Sequence, residues 1–313
     1  MATVRVAAPD ERQVAPPRAP IPRWLMPVWA GFVVMALFGL DVLPLTTWAV
    51  AALVGAAALL AVTAPRAPAP SWLHRRVDRR DLVVLVALYA TVVGLFRFAF
   101  AGFTTDRVAG LFLAFAAGLI LGVAGPVVYT TWFRHRPLRT LGLGRHELRT
   151  TLMFALAFGG VQFVIMFWGY TLPAPVDWVP LLVMSLTVGF FEAIFFRGFI
   201  QGRLEASFGT VPGVVGAAAL YALYHVGYGM PLSEMAFLFG LGVVYAIAYR
   251  LVDNILVLWP LLTPVGAFFN NLEAGEIALP WAAIAGFADV LAAMAAVIWL
   301  AFRHQRRISR TRA

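Results

Sequence analysis

The chain contains neither cysteine nor lysine. Without a thiol there is no disulfide, no thiolate nucleophile and no cysteine-ligated metal site, and the redox compartment is left open. Charge of any kind is scarce: 12% of the 313 residues are ionised at neutral pH, against about a quarter in a soluble domain. Hydrophobic residues make up 62% and the mean hydropathy is +0.84, which excludes a soluble globular chain and leaves an integral membrane protein. No segment is polar and long enough to form an additional soluble domain.

What the sequence does contain is apolar stretches of roughly twenty residues, each sufficient to cross ~30 Å of hydrocarbon as a helix. They begin near residues 25, 46, 82, 108, 151, 179, 211, 235, 254 and 280. The pattern predicts an all-α fold, a polytopic transmembrane bundle of about ten helices. Residues 1–23, rich in Pro and Arg, read as a disordered cytoplasmic tail, and no small-residue cleavage site follows the first stretch. Residues 24–149 then form N-terminal transmembrane helices, 150–272 a core, and 273–313 the last transmembrane helix with a basic tail.

All 24 basic residues are arginines, and they cluster in alternate connections. Arg75, Arg76, Arg79 and Arg80 form one group, Arg134, Arg136, Arg139, Arg145 and Arg149 a second, and Arg303, Arg306, Arg307, Arg310 and Arg312 a third. Acidic residues such as Asp41, Asp106, Asp177, Glu234, Glu273 and Glu276 dominate the other connections, with Arg107 the basic exception. The positive-inside rule then predicts a multi-pass protein with both termini cytoplasmic, and the plasma membrane is its expected location. Topology and anionic headgroups account for the formal charge of +9 with the lipid bilayer as partner and no nucleic acid.

Ionisable groups within apolar runs are costly unless they have partners or a task. Phe190-Phe191-Glu192-Ala193-Ile194-Phe195-Phe196-Arg197-Gly198 holds two of them. If this helix turns at Ser207-Phe208-Gly209 and the next returns from Val211, Glu192 and His225 both lie roughly 20 to 25 Å from the turn and meet at one level. A carboxylate beside an imidazole can activate water; the same spacing equally suits a structural pair that satisfies two buried polar groups. In an α-helix Arg197, five residues on, faces away from Glu192, and its i−4 neighbour is Ala193, so it is expected to snorkel or to bind a distant carbonyl. Gly198 is expected to admit close approach of another helix.

A second turn near Val252-Asp253-Asn254 places Asn270 and Asn271 at a similar depth, behind Pro260 and Pro264, which interrupt the helix. A buried Asn either joins helices or donates to an oxyanion. Asp289, mid-span in the last helix, reads as hydrogen-bonded or protonated, and keeps ion translocation open. Arg97 reads as snorkelling, Leu141-Gly142-Leu143-Gly144-Arg145 as a cytoplasmic connection, and Trp24, Trp178 and Trp281 as interfacial anchors.

Glu192-Ala193-Ile194-Phe195-Phe196-Arg197-Gly198 resembles the E-E-x-x-x-R-G motif of the CAAX prenyl protease and bacteriocin-processing (CPBP, or Abi) intramembrane peptidases. Tyr221-x-x-x-His225 is similar to their second motif, F-x-x-x-H, and Gly266-Ala267-Phe268-Phe269-Asn270 falls where the third, H-x-x-x-N, is expected. Ala193 and Gly266 depart from the pattern. The resemblance implies a glutamate-dependent endopeptidase, with residues 150–272 as the peptidase core. Glu192 and His225 would activate water, Asn270 would stabilise the oxyanion, and a membrane-associated peptide or protein would be the substrate. Arg197 is the expected substrate-binding residue. No cofactor and no metal are expected, since Glu192 and His225 fall short of three protein ligands. A catalytically degenerate member that binds without cutting is the alternative, and a small-solute or ion transporter a weaker one, because no inverted repeat is evident.

Overall fold

A computed structural model describes residues 25–40, 42–44, 47–48, 51, 54–55, 77–102, 108–144, 148–274 and 279–312. The chain divides into two compact units, residues 1–68 and 69–313. In the first, α1 (Leu25–Leu40) is a 16-residue apolar helix. Trp48 is buried, and a Cβ on Gly39 would lie 3.4 Å from the Trp48 ring. The predicted tail, residues 1–23, and most of the expected span near residue 46 lie outside the described residues.

The second unit is a helical membrane bundle, and no strand occurs among the described residues. Its elements are α2 (Arg79–Gly102), α3 (Val108–Val128), α4 (Leu148–Phe167), α5 (Pro175–Glu192), α6 (Gly202–Phe208), α7 (Thr210–Tyr224), α8 (Leu232–Val252), α9 (Leu262–Ala274) and α10 (Ala282–Arg312). Seven helical segments among the described residues are long and apolar enough to cross a membrane. The predicted span near residue 254 takes another form. After Asp253, at φ 53°, comes a short 3-10 turn, Ile255–Val257, and then the 13-residue α9. Pro260 supplies no N–H to a helix there and imposes this break, whereas Pro264 sits in the first turn of α9, where a missing N–H is tolerated.

The core is built around α5, which continues through a π-helical run, Ala193–Gln201, into α6. Together they form one 34-residue rod from Pro175 to Phe208, about 50 Å long at helical rise. It is apolar on nearly every face, and a helix of that kind is stable only when surrounded. Accordingly Phe191, Ile194, Phe195, Phe196, Phe199 and Ile200 are all fully buried. The rod ends at Gly209, whose φ of 91° suits a residue without a Cβ, and α7 returns from Thr210. This is the hairpin that the sequence predicts.

The segment leading into α9 and its first turn clasp α5 through two of its carbonyls. Trp259 Nε1 donates to the Leu186 carbonyl at 2.9 Å and the Thr263 hydroxyl to that of Gly189 at 3.1 Å. A Cβ on Gly189 would lie 2.8 Å from Pro264. Gly198 also permits the close approach expected of it, although the short 3-10 turn Leu138–Leu141 rather than a membrane-spanning helix approaches: a Cβ there would strike the Leu141 carbonyl oxygen.

The three arginine-bearing connections converge at one end of this unit. Asp81, near the start of α2, pairs with Arg136 at 2.8 Å, Arg134 at 3.2 Å and Arg203 at 3.6 Å, and Asp78 pairs with Arg134. Tyr129 donates to Asp81 at 2.8 Å. Gln305 of α10 donates to the Arg136 carbonyl at 3.0 Å. At the same end the Asn254 amide donates to the Gly144 carbonyl, so the second hairpin turn joins the cluster.

Candidate active site

Glu192 ends the α-helical part of α5 and is 4% exposed. Its carboxylate accepts from the hydroxyls of two tyrosines on α7, Tyr224 at Oε1 and Tyr221 at Oε2, the latter at 3.5 Å. These hydroxyls partner a charge-bearing group that would otherwise be stranded among Phe191, Phe195 and Phe196.

His225 lies where α7 tightens into a 3-10 turn, His225–Tyr228. Its backbone N–H turns to Ala222 and Leu223, and Nδ1 meets the Tyr221 carbonyl at 3.0 Å. A carbonyl oxygen only accepts, so Nδ1 carries the proton, and in the neutral ring Nε2 is then the acceptor. Glu192 and His225 therefore share both tyrosines. The His225 ring centroid is 4.1 Å from that of Tyr224 and 5.2 Å from that of Tyr221. No direct hydrogen bond joins Glu192 to His225 among the described residues.

The expectation that Arg197 turns away from Glu192 and snorkels is corrected. Arg197 is 1% exposed, and its guanidinium carbon lies 5.0 Å from the centroid of the Tyr221 ring, the same tyrosine that reaches Glu192. The cause is the π-helical register of Ala193–Gln201, in which hydrogen bonds run from i to i+5 and residues five apart stack on one face. Both terminal nitrogens of Arg197 lack a hydrogen-bond partner among the described residues. An unpartnered buried guanidinium is costly, and such groups concentrate where a ligand completes them.

Asn270 is exposed on α9 and makes no hydrogen bond to Glu192 or His225 among the described residues. Asn271 donates back to the Ala267 carbonyl at 2.7 Å. Gly266 is more informative. A Cβ at this position would lie 2.7 Å from the Tyr245 hydroxyl and 2.9 Å from Gln162 Nε2. The Tyr245 hydroxyl donates to the Leu262 carbonyl at 3.1 Å, and Gln162 donates to Tyr245 at 3.4 Å. Two polar side chains from α4 and α8 thus fill the space into which a side chain on residue 266 would project. Tyr245 also packs on Tyr221, with ring centroids 6.1 Å apart.

Tyr224, Tyr245 and Gln162 are the site residues that the sequence reading missed. A signal existed for the first: Tyr221, Tyr224 and Tyr228 recur at i, i+3 and i+7, a single helix face, and buried tyrosine hydroxyls seek partners. Among the remaining polar residues, Asp289 is exposed on α10 and Arg97 is exposed on α2. Trp178 is half-buried and lies 6.0 Å from Phe268, whereas Trp281 is 53% exposed. No group of three or more His, Cys, Asp or Glu suited to a metal occurs among the described residues.

Gly266→His is expected to destabilise the protein by about 1–3 kcal/mol, the usual effect of overpacking. Adding Gln162→Ala and Tyr245→Phe should recover most of the loss, because the obstructing atoms are side-chain ends. Thermal unfolding in detergent measures both, and an unchanged midpoint for Gly266→His would contradict the filled space.

Residues 173–261 match the family described as Type II CAAX prenyl endopeptidase Rce1-like. The match is consistent with the CPBP resemblance and supports a membrane protease-like function. Glu192, Arg197 and His225 lie inside the matched residues, while Gly266 and Asn270 lie beyond them. No curated protein and no solved structure matches the chain.

Proposed function

Because residues 173–261 carry the signature of the Type II CAAX prenyl endopeptidase Rce1-like family, we propose that this chain is a glutamate-dependent intramembrane endopeptidase. Its substrate is a membrane-associated peptide or protein, and the plasma membrane is its site of action. The observation that supports this most is the convergence of Glu192 and Arg197 on Tyr221, at the buried centre of the bundle. An acid alone in an apolar core needs only neutralising; an acid beside a guanidinium with free N–H groups is equipped to act on a polar ligand.

In the proposed reaction Glu192 takes a proton from water as the water oxygen attacks the scissile carbonyl carbon. His225 Nε2 shares that proton, and Glu192 delivers it to the leaving amine as the C–N bond breaks. Arg197 binds the substrate through its unpartnered nitrogens, which suit a peptide carbonyl or a terminal carboxylate. Asn270 is assigned to the oxyanion by its motif position. No cofactor or metal enters this scheme. Both termini are proposed to be cytoplasmic: reporter fusions at Arg139 and Arg307 should report the same, cytoplasmic side, and an external signal from either would overturn this orientation.

Gly266 and the two tyrosine hydroxyls on Glu192 favour a second reading, a degenerate member that binds its target without hydrolysing it. Purified protein in detergent, challenged with a broad set of peptides with and without C-terminal prenylation, separates the two. Cleavage by wild type that is lost in His225→Ala supports the peptidase. Specific binding without cleavage supports the degenerate member.

A further inference from the structure

On the outer face of α2 and α3, well removed in sequence from the catalytic motifs, the two helices leave an apolar trough of about 540 Å³. Ligand sites commonly enclose about 300–1,000 Å³. Val84, Leu88, Leu121, Ala124 and Gly125 line it, and Tyr129 and Phe133 close its end. The two helices meet closely along it: a Cβ on Gly125 would lie 2.7 Å from the Leu88 side chain. Val84, Tyr129 and Phe133 also line a second cavity of about 400 Å³, whose remaining wall includes Arg79, Arg80 and Arg134. The two cavities thus form one groove with an apolar length and a basic mouth.

We propose that this groove is a binding site for one anionic glycerophospholipid, its acyl chain in the trough and its phosphate at Arg79 and Arg80. Length supports this occupant. From Leu121 to Phe133 the groove runs roughly 17 Å at helical rise, close to the ~15 Å of one leaflet's hydrocarbon. Charge supports it too. Arg134 is committed to Asp78 and Asp81, and Arg136 and Arg203 also pair with Asp81. Arg79 and Arg80 are exposed and have no ion pair among the described residues. Two free guanidinium groups beside an apolar slot, at the arginine-rich end of the bundle, match a phosphate diester better than a neutral headgroup. The ion pairs beneath hold the mouth in place, since they tie α2 to the segment that follows α3.

The test uses the full-length protein in detergent, titrated with phosphatidylglycerol or phosphatidylcholine of equal chain length. Native mass spectrometry reads retained lipid, and thermal unfolding reads the midpoint. Phosphatidylglycerol should be retained preferentially and should raise the midpoint more than phosphatidylcholine. Arg79→Gln/Arg80→Gln should weaken phosphatidylglycerol binding roughly 10- to 30-fold, with little effect on lipid-free unfolding. Ala124→Phe, which fills the trough, should lower retention while leaving both arginines in place. Equal retention of the two lipids, or unchanged affinity in the double arginine variant, would overturn the proposal. So would preferential retention of an isoprenoid alcohol, which would assign the groove to a substrate tail. A dimer mass abolished by Ala124→Phe, without bound lipid, would assign it to a second copy of the chain and equally overturn it.

Discussion

Glu192→Gln is expected to lower hydrolysis by about 10²- to 10⁴-fold, the range associated with loss of a general base, while leaving the protein folded. The amide has the shape of the carboxylate. Its oxygen still accepts from one tyrosine, and its nitrogen donates to the other, because a hydroxyl both gives and takes. Tyr221 and Tyr224 therefore keep their partners, and the packing of Phe191, Phe195 and Phe196 around them is unchanged. What the amide lacks is a site for the proton of the attacking water. The measurement is kcat on whichever peptide wild type cleaves best, with thermal unfolding as the control for folding. Full activity in the glutamine variant would exclude the proposed mechanism.

The largest effect on stability is expected away from this site, at Asp81. Its side chain is 6% exposed and faces three arginines, of which Arg203 is itself 2% exposed. Asp81→Ala leaves these guanidinium groups without their shared anion, and removing one partner of a buried pair typically costs about 3–5 kcal/mol. Arg203 keeps its contact to the Thr130 hydroxyl at 3.0 Å and its place 5.4 Å from the centroid of the Phe199 ring, and neither of these groups is an anion. Denaturant or thermal unfolding in detergent should show the loss. Arg203→Leu in the same chain should restore part of it, since an apolar side chain needs no anion. A change below about 0.5 kcal/mol, the size of an ordinary surface substitution, would show that solvent reaches the cluster and satisfies it.

The sequence and the structure agree where the physics is local. A helix that is apolar on all faces belongs at the centre of a bundle, and α5 is there. Gly209 marks a turn because few other residues accept its backbone angle, and counting residues from that turn brings Glu192 and His225 to the same two tyrosines. The likeness of Glu192 through Gly198 to a peptidase motif agrees with the match over residues 173–261.

Disagreement arises where a residue's direction depends on register or on distant partners. Arg197 is misplaced by α-helical counting because nothing in the composition of Ala193–Gln201 distinguishes an i+5 hydrogen-bond pattern from an i+4 one. The π register emerges only with the helices that pack around it. The place of Gly266 is filled by Gln162 and Tyr245, from helices 104 and 21 positions away in sequence numbering, and no spacing rule links them. The apolar run near residue 254 is interrupted, as its prolines indicate, but how much of it remains helical, the 13 residues Leu262–Ala274, is set by the packing around it and not by its hydropathy.

The π-helical run has a wider consequence. It acts as the gauge between two distant features of one rod, with Glu192 before it and Arg203 after it. Shortening the run by one residue, with its winding kept, would rotate everything downstream by about a quarter of a turn. Arg197 would swing off Tyr221, Gly198 would leave the Leu141 carbonyl, and Arg203 would lose its aim at Asp81. The membrane-buried acid and the charged lock at the bundle's end are thus indexed by the same nine residues. A length change there could not be absorbed at one of them without being felt at the other.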